Sequence, residues 1–453
     1  MGTALHRANA WANVMPASPA RLAAFKILLR VVREESFAVE LLHSALLDGL
    51  SPADRNLTTE IVMGVLRWRP ALDQAIAYFS FTPFGKLDLE VVTALRVGAY
   101  QIMFLSKVPP HAVVNETVEL VKDAKKASAS GLANAVMRKI LAQQKSGKRI
   151  QGKGTLADRF AHPEWLVQRW VAQFGEEVTQ KICDYDQKVP ETVMRLGNPG
   201  DEDQLRRDGV ELAPGALMKN ARRVINGDVI GTELFRERKV AIQDEGSQLV
   251  AALVGEGRKI LDCCSAPGGK TGAMATRLPE AEIFAAELHP HRARLLRELA
   301  PQENVRVVTA DALRLPFAAE FDRVLADVPC SGTGTLARNP EIKWRLKPED
   351  LPDLQQRQLA ILKAAMTHVL PGGRLIYSTC SLEQEENERV VEAALAQDPG
   401  FQIVPVREEL GRLQRSGDLA WKDIDQLVSG NYLWTMPGVQ PCDGFFAAVL
   451  QKI

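Results

Sequence analysis

No stretch of this 453-residue sequence approaches the roughly 20 apolar residues that span a bilayer, and Met1 to Ala20 lacks the hydrophobic core of a signal peptide. A soluble, cytoplasmic protein is expected. Met1-Gly2 opens as a myristoylation signal does, but His6 stands where that signal needs Ser or Thr, so an ordinary start is expected. Metal-binding spacing is also missing: the cysteines at 183, 263, 264, 330, 380 and 442 form neither a CxxC pair nor a Cys/His cluster of zinc type. No metal is expected. In a reducing compartment these are free thiols, and a free cysteine is ordinarily a small buried hydrophobe. Cys183 and Cys442 give no reason to read them otherwise. There is no internal repeat or low-complexity tract, and 46% hydrophobic with 25% charged residues excludes disorder. That length corresponds to about two to four domains.

Net charge is absent overall but unevenly distributed. The first 150 residues hold 19 Lys and Arg against 12 Asp and Glu, and the remainder carries the balancing negative excess. A basic helical end fits a polyanionic partner, although solvated surface alone accounts for an excess of this size equally well.

What is present begins with a helical pattern from Ser18 to about Gln144. Ser18-Pro19 reads as a cap and first-turn proline, and Leu22, Phe25, Leu29 and Val32 recur at helical spacing. Further helices are expected over Ala38 to Leu47, Pro52 to Ala77, Leu89 to Leu105, His111 to Lys126 and Gly131 to Gln143. Gln144 to Gly154 is polar, basic and glycine-containing, and reads as a linker. Helices resume at Pro163 to Phe174 and Glu176 to Asp184. Thr192 to Gly197 and Gly209 to Leu217 then read as parts of a small α+β segment. From Arg258 short apolar strands alternate with helices, the pattern of a doubly wound parallel sheet. The strands expected are Lys259 to Asp262, Glu282 to Glu287, Val305 to Ala310, Arg323 to Asp327, Arg374 to Ser378, Phe401 to Val406 and Phe445 to Gln451.

The first of these strands runs into Asp262-Cys263-Cys264-Ser265-Ala266-Pro267-Gly268-Gly269-Lys270-Thr271. Gly-Lys-Thr invites a nucleoside-triphosphate reading, but Cys264 occupies the position where a P-loop needs glycine, and the Rossmann dinucleotide spacing is absent. What remains is a strand, a tight glycine turn and a helix start, where backbone amides can approach a ligand carboxylate. Glu287 ends the second strand, 25 residues after Asp262, where nucleoside sites place an acid on ribose hydroxyls. Asp311 ends the third, as a cap or as a partner for an adenine amino group. A glycine loop and two acids at three successive strand ends favour a nucleoside cofactor. Asp327-Val328-Pro329-Cys330 and Ser378-Thr379-Cys380 follow two later strands, so two thiols are expected at the same carboxyl edge.

Together with Gln243-Asp244-Glu245-Gly246-Ser247-Gln248, these motifs resemble, in order, those of the S-adenosylmethionine-dependent RNA cytosine-C5 methyltransferases, and most closely the ribosomal Sun or Fmu family. The resemblance covers nearly the whole chain, because Arg21 to Gln143 is similar to the NusB-like helical RNA-binding domain of that family's ribosomal members. It implies a multidomain protein. An all-α NusB-like bundle (18–144) would be followed by a connecting RNA-binding α+β segment (155–238) and a class I, Rossmann-like α/β methyltransferase domain (239–453). It further implies S-adenosyl-L-methionine held by Cys264, Ser265, Ala266, Pro267, Gly268, Gly269 and Lys270, with Glu287, Asp311 and Asp327 as additional contacts. The family usually has Asp where Glu287 stands, and the longer carboxylate still reaches ribose hydroxyls.

The chemistry implied explains the two cysteines. Cytosine C5 is too weak a nucleophile to take a methyl group until a thiolate adds at C6, which divides one hard step into two easier ones. The resemblance makes Cys380 the nucleophile. Asp327 would stabilise the adduct at the N3 edge, and Cys330 would assist loss of the C5 proton and enzyme release. A thiol near pKa 8.5 is a few per cent thiolate at neutral pH, and Lys270 is a nearby source of positive charge, if it is not simply solvated. Arg292 and the run Arg338 to Arg345, with Trp344 as stacking surface or as core, are candidate RNA contacts. The expected substrate is small-subunit ribosomal RNA and the expected state a monomer. Transfer RNA or large-subunit ribosomal RNA as acceptor, or a non-catalytic RNA-binding assembly factor, are the alternatives.

Overall fold

Residues 17–146, 154–317 and 321–453 are described by the computed structural model. Met1 to Pro16, on which the expectations about the chain start rest, and 147–153 of the expected linker lie outside the described residues. The chain divides into two compact units, Met1–Glu164 and Trp165–Ile453.

The first unit is helical: α1 (Pro19–Arg33), α2 (Ala38–Leu42), α3 (Pro52–Arg67), α4 (Arg69–Phe79), α5 (Leu89–Phe104), α6 (Pro110–Asp123), α7 (Ser130–Lys145) and α8 (Leu156–Phe160). Helix α5 is apolar almost all round, and every residue from Val91 to Ile102 is buried, which makes it the axis of the bundle. Ile27, Ile61, Leu72, Leu120 and Met137 pack into the same core as its Leu95. The polar groups that α5 buries are paired: Arg96 makes a two-pronged contact with Asp73 at 2.6 and 2.8 Å, and Gln101 accepts from Arg21 at 2.7 Å.

Three local expectations are corrected. The single helix over Pro52 to Ala77 is two helices, because Pro70 brings no backbone N–H and Trp68 leaves helical geometry at φ −105°, ψ 16°. Ala38 to Leu47 yields only α2 and a 3₁₀ turn at Ala45–Leu47. Ser18 is extended but does not cap α1; its Oγ accepts from Arg21 and its N–H donates to Glu116 at 2.8 Å, tying α1 to α6.

The second unit opens with α9 (Glu164–Phe174) and α10 (Glu176–Asp186), then a four-stranded antiparallel sheet of order β2-β3-β1-β4. Its strands are β1 (Val193–Leu196), β2 (Glu211–Pro214), β3 (Ala221–Asn226) and β4 (Val240–Ile242), with short helices α11 (Asp201–Arg207) and α12 (Glu233–Arg236). Strands β1 and β2 fall inside the two segments expected; β3 and β4 were not singled out by the sequence pattern. After them α13 (Glu245–Leu253) begins with a buried carboxylate, Glu245, that accepts the backbone N–H groups of Ala216, Leu217 and Met218 at 2.9, 2.6 and 2.7 Å.

The large sheet contains β5 (Lys259–Asp262), β6 (Glu282–Glu287), β7 (Val305–Thr309), β8 (Phe321–Asp327), β9 (Val369–Thr379), β10 (Phe401–Val404), β11 (Val428–Ser429), β12 (Tyr432–Thr435) and β13 (Phe445–Lys452). The connecting helices are α14 (Gly269–Arg277), α15 (Pro290–Leu299), α16 (Ile342–Arg345), α17 (Asp350–Met366), α18 (Glu388–Gln397) and α19 (Val406–Arg415). The order is β11-β12-β13-β9-β8-β5-β6-β7, with β10 also on β13. Every strand expected from the alternating pattern is present within a few residues. The sheet is mixed rather than wholly parallel, because β13 runs antiparallel to β9 and its other side is shared between β12 and β10. Strand β5 lies between β6 and β8, with the chain leaving on one side and returning on the other. That is a topological switch point, where open α/β sheets form their ligand crevice.

Candidate active site

The loop after β5 is pinned between its neighbours: Cys263 N–H donates to Leu325 O and Ser265 N–H to Ala286 O, both at 2.9 Å. Ser265 also turns its hydroxyl inward, onto Asp262 O at 2.9 Å, so it shapes the loop from within. Gly268 sits at φ +116°, and a Cβ there would come 2.9 Å from a Leu296 methyl, so both its backbone and its lack of a side chain are required. Pro267 and Gly269 are exposed; Cys264, Ala266 and Lys270 are half-buried. Helix α14 starts at Gly269, where the first-turn amides have no partner within the helix.

Cys264, Glu287 and Asp311 come together around a cleft of about 360 Å³, within the range of small-molecule sites. Leu288, Pro329 and Ile361 form apolar walls. Glu287 Oε1 accepts from His289 N–H, and Asp311 Oδ1 accepts from Leu313 N–H, each at 2.9 Å. One oxygen of Asp311 therefore does cap a turn. Arg292, a candidate RNA contact, lines this cleft instead, with Arg357 of α17, a residue that no motif singled out. Beneath the loop Asp262 is buried. Burial pushes its pKa up to about 6, while the hydroxyl of Thr271, donating to Oδ2 at 2.7 Å, works the other way; its Oδ1 has no hydrogen-bond partner. Its identity as the last residue of a strand was visible, but not its burial.

The thiols follow adjacent parallel strands. Asp327 closes β8 in register with Ser378 of β9, and the two turns beyond place Cys330 Sγ 3.4 Å from Cys380 Sγ. The Cys330 thiol is pushed well up, first by its hydrogen bond with Cys380 and then by burial. Burial, the nearby carboxylates and a weaker opposing Arg357 act on Cys264, and its thiol is likewise raised. Asp327 Oδ1 accepts from Ser378 Oγ at 2.7 Å and Oδ2 from Lys270 Nζ at 2.6 Å. Lys270 is thus an ion-pair partner rather than a solvated residue. Burial disfavours its charge, but Asp327 outweighs this, Cys380 adds to the same effect, and the ammonium is held above its ordinary range.

Side chains absent from the sequence-based candidates hold these turns. The fully buried Glu386 accepts from Ser331 N–H at 2.8 Å, from the hydroxyls of Ser331 and Ser381, and from Gln358 Nε2 at 2.8 Å. Glu383 accepts from Arg169 at 2.9 Å and from the Trp170 indole at 3.0 Å, which fastens α9 to the turn after Cys380. Gly334 donates to Cys380 O and accepts from Gly444 N–H; a Cβ there would lie 2.3 Å from Gly444 O. Acids three and six residues after Cys380 were the only available signal.

The expected RNA run fares differently. Arg338 is committed to Asp443 at 2.8 Å and Asp244 at 3.2 Å, and Lys343 is buried. Trp344 is half-buried beside Lys343. Arg338 and Lys343 are thus held within the fold rather than forming an exposed cationic strip. Among the described residues no helix is long and apolar enough to cross a membrane, and no group of His, Cys, Asp and Glu is placed to hold a metal ion.

Residues 250–451 match the family model described as 16S rRNA methyltransferase RsmB/F, and residues 18–142 match that of the NusB family. The probable ribosomal RNA small subunit methyltransferase B of Bacillus subtilis is 31% identical over 95% of this chain and 98% of its own length. The ribosomal RNA small subunit methyltransferase B of Pseudomonas putida is 33% identical over 88% of this chain and 93% of its own. The crystal structure of PH0851 superposes with a TM-score of 0.79 at 22% identity, covering 97% of this chain and all of that one, a likeness of fold. The chain therefore belongs to the RsmB/F family of 16S ribosomal RNA methyltransferases, enzymes that take their methyl group from S-adenosylmethionine.

Proposed function

We propose that this protein methylates carbon 5 of a cytosine in small-subunit (16S) ribosomal RNA through a covalent adduct between Cys380 and carbon 6 of the base. The observation that carries this reading is the pair of sulfurs 3.4 Å apart at adjacent strand ends, beside Asp327 and next to the nucleoside-sized cleft. A methyl acceptor that is already nucleophilic needs neither thiol.

The residues present fit S-adenosylmethionine. The loop from Cys264 to Lys270 offers a glycine cradle and free helix-start amides, Asp262 carries an unpartnered buried oxygen beneath it, and Glu287 and Asp311 face one cleft. In this reading Cys264, Ser265, Ala266, Pro267, Gly268, Gly269 and Lys270 hold the cofactor's amino-acid end. Glu287 takes the ribose hydroxyls, Asp311 the adenine edge, and Asp327 borders the methyl-bearing end. Bound there, the cofactor supplies an electrophilic methyl group, which C5 of the activated base accepts.

The chain's own residues do the rest. The target base leaves its stack to reach the site, since C6 is shielded within it. Cys380, as thiolate, adds to C6 and moves electron density to C5; Lys270 and Asp327 lie beside it, with Asp327 at the N3 edge of the ring. After methylation Cys330 takes the C5 proton, the C5=C6 double bond re-forms and the C6–S bond breaks, returning Cys380 as thiolate. Residues 18–144 would act as an RNA-binding module, 155–238 as a connecting RNA-binding subdomain and 239–453 as the catalytic domain. A cytoplasmic monomer acting on ribosomal RNA completes the reading.

The test uses labelled S-adenosylmethionine, unmodified ribosomal RNA, wild type, Cys380→Ala and Cys330→Ala. Wild type should form 5-methylcytosine in 16S RNA, Cys380→Ala should form none, and Cys330→Ala should accumulate a protein–RNA adduct. Full activity in Cys380→Ala would sink the covalent reading; methylation confined to transfer RNA or large-subunit RNA would move the substrate.

A further inference from the structure

Glu386 is fully buried, and its hydrogen-bond partners sit next to the two cysteines. Ser331, adjacent to Cys330, gives it both a backbone N–H at 2.8 Å and its hydroxyl; Ser381, adjacent to Cys380, gives its hydroxyl at 2.5 Å. The two hydroxyl oxygens lie 3.0 Å apart. Gln358 Nε2 donates to Glu386 at 2.8 Å and to Pro329 O at 3.0 Å, and the Tyr377 hydroxyl donates to the Glu386 backbone carbonyl at 2.6 Å. One carboxylate therefore staples two turns that lie 50 residues apart in sequence. A buried charge is costly unless hydrogen-bonded, and here the donors come from the turns that need to be held.

We propose that Glu386 is a positioning residue, which fixes Cys330 against Cys380 and keeps the single proton between the two sulfurs on Cys330, leaving Cys380 as the thiolate. One of the two thiol protons then goes to solvent and the other stays on Cys330, which donates its S–H to the Cys380 sulfur until Cys380 adds to C6. With that charge gone the Cys330 proton passes to solvent, and Cys330 is the thiolate that takes the C5 proton after methylation. The inference rests on the covalent reading above. The direction of the Cys330 shift agrees: after the hydrogen bond to Cys380 and burial, the Cys380 and Glu386 charges push it further up.

The experiment compares the full-length Glu386→Gln and Glu386→Asp variants with wild type in methylation kinetics, S-adenosylmethionine binding and alkylation of Cys330 across pH, the last in a Cys380→Ala background. Glu386→Gln should lower kcat about 100-fold while leaving the RNA KM and cofactor affinity within about twofold, since it disturbs the geometry of the reacting groups. The pH midpoint for Cys330 alkylation should fall, and Glu386→Asp, which keeps the charge, should recover part of both. If Glu386→Gln does not fold, the Ser331→Ala/Ser381→Ala pair removes the hydroxyl donors and should show the same selective loss of kcat. Wild-type kcat in Glu386→Gln, or a loss matched by equal loss of cofactor binding, overturns the inference. Wild-type methylation by Cys380→Ala would instead overturn the covalent reading on which it rests.

Discussion

The helical unit and the catalytic unit bury different things. Among the described residues, the first buries no carboxylate; its interior is an apolar cluster around α5, with Thr58, Thr93 and Thr117 bonding to carbonyls one helical turn back. The second buries nine: Asp186, Glu245, Asp262, Glu287, Glu341, Glu383, Glu386, Glu409 and Asp443. Four of these hold turns at the sheet edge: Asp262, Glu287, Glu383 and Glu386. Apolar burial is non-directional and tolerant of rearrangement, whereas a buried carboxylate demands donors at fixed places. A scaffold can be built from the first kind of contact. A reaction geometry held to a fraction of an ångström calls for the second, at a cost in desolvation.

The contrast can be broken at its extremes. The largest effect is expected from Cys380→Ala, which should lower methylation about 10⁴-fold or more with little change in melting temperature, because a small partly buried thiol contributes to chemistry rather than to packing. Activity and melting assays on one preparation check this. The reverse pattern belongs to Leu95→Ala at the centre of α5. It should cost about 2 to 5 kcal/mol in the unfolding of the helical unit while leaving S-adenosylmethionine affinity unchanged, as titration calorimetry would show.

Arg338→Met sharpens the comparison by removing a polar contact from the catalytic unit. It leaves Asp443 and Asp244 buried without their cation, and a loss of about 2 to 3 kcal/mol is expected, below the full range for a buried pair because Arg338 is itself 28% exposed. A loss under about 0.5 kcal/mol in chemical denaturation would place this network with ordinary surface ion pairs.

Asp443 also gives the catalytic unit a pH dependence. Burial, and then the Asp244 charge, push its pKa from 3.8 up to about 7. The folded state therefore binds a proton that the unfolded state has released, so this contribution is complete below pH 3.8 and is lost as pH rises through about 7. Asp443→Asn should remove it, and the stability of the variant relative to wild type should rise across that window in melts at successive pH values. The smallest effect is expected from Arg30→Ala on α1, which breaks an exposed pair with Glu34 and should change stability by less than about 0.5 kcal/mol.

Much of the architecture was legible because it depends on local pattern. Lys259 to Asp262 and Glu282 to Glu287 are short apolar runs that end in an acid, and the structure gives strands with those bounds. The order of the glycine loop and the two cysteine motifs along the chain was equally visible. Most of what escaped depends on partners distant in sequence. Pro70 splitting a helix is local and was missed only because apolar periodicity runs through it. That β13 would run antiparallel could not be read from Phe445 to Gln451, since an apolar run carries no direction. Nor could the commitment of Arg338 to Asp443, 105 residues away, or of Glu386 to Ser331, 55 residues away, because a charged residue in a sequence looks solvated until its partner is known.

The position of β13 also sets the timing of assembly. Strand β9, which ends beside Cys380, gains its neighbour on that side only when Phe445 to Lys452 has been synthesised, since Thr379 pairs with Phe446 and Arg374 with Gln451. Translation delivers residues in order, and long-range strand pairing is slow to form. Until then β9 is an open edge, exposed to pairing with another chain. The helical unit has all its own contacts much earlier and can fold while the rest is still being made. A nascent chain on the ribosome thus carries a finished helical unit and an unfinished catalytic one. Modification of ribosomal RNA by this protein therefore begins only after Phe445 to Lys452 has been made and paired with β9.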